Sequence, residues 1–228
     1  MTNYLLMKKS LVCLAFSMLS LGAASASDIP CTISGTGFGA PVNATTVVDC
    51  GPLSFDDFMV VNPTSGTSTP NPGQIDALAT SYFDTSLNQA FVQFNPNLQG
   101  EMDDEFSFTV LGGVNMIDMT VGGDNASVQE TACTVAFGTA TVGVGVCAPG
   151  NVLGQVTVLS NQSEQFASFS ATSPVYIFKD IEAGEGGQLS EFTQSFGVAG
   201  TVPEPLTMLL LGTGLLGLGL LRRRPRNS

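Results

Sequence analysis

Short runs in which apolar and polar residues alternate recur through the middle of the chain, and they constrain the fold more than any other feature. Phe106-Ser107-Phe108-Thr109-Val110 is a clean period-two segment, with Met116 to Val121 as its expected partner across Gly112-Gly113. Phe91 to Phe94, Ser127 to Ala136, Thr139 to Val146, Asn151 to Leu159, Phe166 to Ala171, Val175 to Lys179 and Glu191 to Val198 continue the series. Side chains of a strand point alternately to opposite faces, so such a run buries one face and wets the other. Gly122-Gly123-Asp124-Asn125, Pro149-Gly150, Ser173-Pro174 and Gly184 to Gly187 supply turn residues between runs. A spacing of about ten residues with this patterning predicts an antiparallel all-β domain, a β-sandwich or jelly roll. Gln74 to Ser81 is the only segment read as a short helix, and Asn62 to Gly73, rich in Pro, Thr and Ser, reads as an exposed loop. Residues 27–201 are enough chain for one domain with a sizeable core.

Charge is distributed unevenly. Of seven basic residues, six lie in the first ten or last seven positions, and between Ser27 and Val202 Lys179 stands alone against 18 Asp and Glu, a net charge of −17. Such a surface repels phosphate backbones, so nucleic acid is excluded as a partner. The chain has no His, which removes Ser-His-Asp and Cys-His nucleophile systems and histidine-ligated metals.

Both ends read as addresses. Lys8 and Lys9, the apolar run Leu11 to Gly22 and the small residues Ala24-Ser25-Ala26 form a secretory signal peptide over 1–26, expected to be cut by signal peptidase after Ala26. Cys13 lies too close to the lysines, ahead of most of the apolar run, to be a lipoprotein cysteine. At the other end, Pro203-Glu204-Pro205 precedes Leu206 to Leu221, sixteen residues without a charge, nine of them Leu, and Arg222-Arg223-Arg224 closes the stretch. As a helix this segment rises about 24 Å, a little short of the roughly 30 Å hydrocarbon core, a gap that snorkelling arginines and bilayer thinning absorb. The arginines hold the tail in the cytoplasm, and the signal peptide places the domain outside. Two prolines bar a helix just outside the membrane and keep that segment extended. Gly212-Thr213-Gly214-Leu215-Leu216-Gly217 fits a dinucleotide-binding pattern, but it has no strand before it and lies inside the span, so it reads as helix-packing glycine.

Proline pair, short Leu/Gly helix and arginine run, in this order behind a signal peptide, resemble the PEP-CTERM sorting signal of Gram-negative bacteria. The resemblance covers 202–226, about a tenth of the chain, with Leu206 standing where a small residue is common. It implies recognition by exosortase, a multi-pass membrane protease. Pro203, Glu204 and Pro205 would be the sorting motif, and Arg222, Arg223 and Arg224 the membrane retention charges. It further implies transient residence in the inner membrane as a single-pass protein, then delivery to the cell surface or extracellular matrix. Exopolysaccharide and biofilm matrix are the implied surroundings. The label describes sorting and assigns the exported domain no activity. Two other readings share the same route or part of it: a carbohydrate-acting enzyme displayed this way, and a permanently anchored single-span surface protein.

Within the exported domain four cysteines are left, Cys31, Cys50, Cys133 and Cys147. An even number in an exported chain reads as disulfides, and Cys31–Cys50 with Cys133–Cys147 is the favoured pairing because each closes a short local loop. Without a C-x-x-C pair or His, a zinc site is disfavoured. The densest acidic cluster, Glu101, Asp103, Asp104 and Glu105, reads first as a solvated turn. Its alternative role is Ca²⁺ ligation, since hard oxygens suit that ion. No other cofactor is expected. Carboxylates are plentiful enough for glycoside hydrolysis, but the chain lacks Trp, and its alternating phenylalanines read as core. The domain is therefore read as non-enzymatic.

Overall fold

The computed structural model describes residues 28–61, 69–70, 75–136 and 147–199. The expected signal peptide over 1–26, the sorting signal over 202–226 with its span 206–221, the strand at 139–146 and most of the loop at 62–73 lie outside the described residues. Among the described residues no helix is long and apolar enough to cross a membrane.

The strands are β1 (Ile29–Pro30), β2 (Thr32–Ser34), β3 (Val47–Cys50), β4 (Leu53–Val61), β5 (Thr69–Pro70), β6 (Asp76–Ala77) and β7 (Tyr82–Asp84). They continue with β8 (Gln89–Asn95), β9 (Leu98–Gln99), β10 (Met102–Leu111), β11 (Val114–Cys133), β12 (Val152–Leu159), β13 (Gln165–Thr172) and β14 (Val175–Val198). Apart from a short parallel contact of β5 with β10, the strand pairs are antiparallel.

Two long strands organise the molecule. The first half of β11 and the second half of β14 pair with each other and carry β13 on one side and β8, β7 and β1 on the other. This is the first layer. The second half of β11 and the first half of β14 also pair, and carry β12 on one side and β10, β4, β3 and β2 on the other. This is the second layer. Hydrogen bonding runs through the bends of β11 and β14, so one continuous sheet folds over itself into a sandwich.

The bends fall where turns are expected from sequence, and they correct that expectation. Gly122 to Asn125 and Gly184 to Gly187 do not reverse the chain; β11 and β14 pass straight through them with shifts of register. The two segments lie against each other, Gly184 and Gly187 close on Asn125, with Gly123 paired to Leu189 and Asp124 to Gln188 just beyond, so both strands bend together and keep pairing. Gly123 has φ +141°, and a Cβ there would run into the Gln188 carbonyl oxygen, so the close approach requires glycine. A second correction concerns the helix read at 74–81. Ile75 to Leu78 is extended, with Ile75 and Ala77 fully buried and Asp76–Ala77 paired to β8, and a turn at Ala79-Thr80 follows, closed by the Ser81 N–H donating to the Leu78 carbonyl. The alternation of apolar Ile75 and Ala77 around Asp76 suits a sheet and gives a helix no apolar stripe.

The inward faces meet in a core rich in phenylalanine. Phe94 and Phe192 of the first layer pack on Phe58, Phe106 and Phe108 of the second, with Phe94–Phe106 centroids 5.2 Å apart and Phe55–Phe196 at 5.0 Å. The expected disulfides are present: Cys31–Cys50 ties the start of β2 to the end of β3, and Cys133–Cys147 ties the end of β11 to the segment before β12. A separation of 14 residues makes the second a local staple.

Candidate functional site

Lys179, the lone base between Ser27 and Val202, does not face water. Alternation along β14 places it inward between Ile177 and Ile181, fully buried. Its Nζ donates to Glu130 Oε2 at 2.9 Å, lies 3.3 Å from Met119 Sδ and sits 4.8 Å above the Phe192 ring. Gln194 Nε2 donates to the other Glu130 oxygen. Burial raises the Glu130 pKa and lowers that of Lys179, while their mutual attraction opposes both shifts. The cluster joins the layers, since Glu130 and Lys179 belong to the second and Met119, Phe192 and Gln194 to the first. It also leaves the outer surface of the domain without a single cation.

The outward face of the first layer carries a different chemistry. Register brings Pro30, Tyr82, Phe91, Ser195, Asp118 and Phe166 into one row across six strands, β1-β7-β8-β14-β11-β13. Directly paired residues share a face, so all six project the same way. Tyr82 and Phe91 stack with centroids 4.9 Å apart, both half-buried, and Phe166 at the far end is 69% exposed. The neighbouring row holds Gln93, Thr193 and Thr120. Gln93 Nε2 donates to Thr193 Oγ1 at 3.1 Å, and Thr80 donates to the Gln93 amide oxygen. Phe91 and Phe166 were expected in the core with the other phenylalanines; alternation within β8 sends Val92 and Phe94 inward and Phe91 outward.

Between the aromatic ends lies a polar centre. Asp118 and Ser195 are nine-tenths or more buried. Burial is the largest influence on Asp118, followed by a hydrogen bond to Glu164 and the charge of that residue; together they push its pKa up to about 7, against a smaller opposing pull from Ser195. The Ser195 hydroxyl is near enough to ease the carboxylate, yet in strict hydrogen-bond geometry Asp118 Oδ1 and Ser195 Oγ both lack a partner. Leaving such groups unpaired costs about 1–3 kcal/mol each.

The second layer's outer face is acidic. Asp103 opposes Glu182 and Glu105 opposes Asp180 across β10 and β14. Burial, then the charges of Asp180 and Glu182, raise Asp103 to about 7, and it hydrogen-bonds the Asp180 side chain. The sequence-proposed calcium ligands are split by this strand. Asp103 and Glu105 project outward, Asp104 projects to the side of Phe106, and exposed Glu101 precedes the strand. Among the described residues no group of three or more His, Cys, Asp or Glu is placed to hold a metal ion. A polar cleft of about 320 Å³ lies at the bend, lined by Asp124, Asn125, Ser127, Ser160, Asn161 and Glu182 among others.

These raised acids set a pH dependence. Asp103 and Asp118 titrate near 3.8 without the fold and near 7 within it. Between those values the folded chain binds more protons than the unfolded one, so stability falls as pH rises through the window. Asp56 and Asp180 shift in the same direction, each chiefly by burial. Thermal melting is expected at a higher temperature at pH 5 than at pH 8, and the double substitution Asp103→Asn with Asp118→Asn should flatten that difference. Equal melting temperatures at the two pH values would contradict the assignment.

A family model, the PEP-CTERM protein-sorting motif, matches residues 201–224. No curated protein matches the chain. Among solved structures, TmCBM61 in complex with β-1,4-galactotriose is similar at 14% identity, covering 60% of this chain and 86% of that one, with a TM-score of 0.33. The family 32 CBM from C. perfringens NanJ in complex with galactose is 14% identical over 60% of this chain and 91% of that one, with a TM-score of 0.25. The glycoside hydrolase domain of Endo-D from Streptococcus pneumoniae R6 is 9% identical over 62% of this chain and 21% of that one, with a TM-score of 0.33. The sorting motif expected from Pro203, Glu204, Pro205 and the arginines behind Leu221 coincides with the matched segment, and the chain carries a PEP-CTERM protein-sorting motif at that end.

Proposed function

We propose that the chain is exported, held briefly in the inner membrane by residues 206–221, and processed by exosortase near Pro203-Glu204-Pro205. The β-domain is then delivered to the cell surface or matrix, where it acts as a non-enzymatic structural or binding module associated with exopolysaccharide. The observation that carries this reading is the sorting-motif match at 201–224, immediately behind a disulfide-stapled β-sandwich.

The test is the mass and C-terminal sequence of the mature protein from its native host, beside a strain lacking exosortase. The expected mature chain has lost the span and Arg222 to Arg224 only where exosortase is present. A mature chain that keeps the arginines and an intact Pro203-Glu204-Pro205 in both strains overturns the proposal.

A further inference from the structure

We infer that the outward face of the first layer is a binding strip for an uncharged polysaccharide, gripped by Tyr82 and Phe91 at one end and Phe166 at the other. The inference rests on the export reading above and names the ligand of the exported domain.

Strand spacing is the first support. Tyr82, Phe91, Ser195, Asp118 and Phe166 occupy five adjacent strands, so the aromatic ends lie about 19 Å apart along the hydrogen-bonding direction. That is long enough for several linked sugar rings lying across the strands. Pyranose rings present apolar C–H faces and polar rims, and a strip of aromatic platforms with amides and hydroxyls between them answers both. Gln93 and Thr193 supply that polar lining in the adjacent row.

The second support is the unsatisfied centre. Asp118 and Ser195 sit side by side between the platforms and buried, the hydroxyl close enough to ease the carboxylate, yet Asp118 Oδ1 and Ser195 Oγ have no partner in strict hydrogen-bond geometry. A serine hydroxyl both donates and accepts, and a carboxyl oxygen accepts, so one sugar hydroxyl entering between Phe91 and Phe166 satisfies both. Exposed Glu164, hydrogen-bonded to Asp118, is the side chain that must swing aside.

Charge selects among polymers. Asp84, Asp118 and Glu164 border the strip, and no Lys or Arg of the domain reaches its surface. An anionic chain is repelled. A cationic one is attracted to the whole acidic surface and released by salt, which singles out no strip. A neutral chain depends on stacking and hydrogen bonds, and its binding persists at high salt.

Affinity electrophoresis of the full chain in mild detergent tests this, with gels containing galactan, xylan, β-glucan or dextran, and alginate as the anionic comparison. Retardation by at least one neutral polymer, unchanged at high salt, and none by alginate is the expected result. Phe166→Ala and Tyr82→Ala are each expected to weaken it about tenfold or more. Phe166 is exposed, so its variant should melt like the parent and separates lost binding from lost folding. No retardation by any neutral polymer overturns the inference, and so does undiminished retardation of a chain that carries both Phe166→Ala and Tyr82→Ala. Mapping the C-terminus in native-host preparations keeps the two proposals apart. A processed chain that is not retarded sinks the strip alone, and a retarded chain that is never processed sinks the sorting route alone.

Discussion

Replacing Glu130 with alanine is expected to destabilise the domain by about 3–5 kcal/mol, because it leaves a buried ammonium without its counter-charge. Lys179 and Glu130 are both fully buried, and their 2.9 Å contact is the one ion pair among the described residues. Met119 and the Phe192 ring are weak compensation for a lost carboxylate, and Gln194 loses its acceptor in the same step. The pair is costly to break without being valuable in itself. A triple variant, Lys179→Met, Glu130→Leu and Gln194→Leu, is expected to recover most of the loss, since well-packed apolar replacements of buried ion pairs are often neutral or stabilising. Chemical denaturation of the full chain in detergent measures both. A single variant as stable as the parent would show that Lys179 finds water or another acceptor, and would contradict the buried bridge.

Phe94→Ala is the second large effect, expected at about 3–5 kcal/mol from a cavity in a core that cannot close over it. Phe94 is fully buried and touches four other rings, Phe58, Phe106 and Phe108 across the interface and Phe192 within its own layer. By contrast, Phe91→Leu, one position inside the same strand as Val92 but outward-facing, is expected to cost under about 1 kcal/mol. Denaturant midpoints of the two variants check the pair, and a similar loss for both would refute the assignment of faces in β8.

Much of the fold is legible in short windows. Phe106 to Val110, Ser127 to Ala136 and Asn151 to Leu159 read as strands; the first lies within β10, the second is strand as far as Cys133 and the third from Val152, because period-two alternation is a local signal of a half-buried sheet. The cysteine pairing is legible for a related reason: short loops bring Cys31 to Cys50 and Cys133 to Cys147 with little entropy to lose. The sorting motif is legible because membrane topology depends on linear hydropathy and charge. The helix read at 74–81 failed locally, since Ile75 and Ala77 alternate around Asp76 as in a strand, whereas the misread turns failed for a non-local reason. Gly122 to Asn125 and Gly184 to Gly187 look like turns separately, and become bends because each segment lies against the other, some 60 residues away in sequence.

Linear sequence alone determined the β class, the acidity, the staples and the sorting signal of this protein, since each depends on neighbours along the chain. Tertiary structure decided which side of each strand faces out. It placed the domain's solitary lysine in the core and drew Tyr82, Phe91, Ser195, Asp118 and Phe166 into one row. The physical reason is register: slipping one strand by a single residue turns every side chain it carries to the opposite face, and only pairing between distant segments settles which alignment holds.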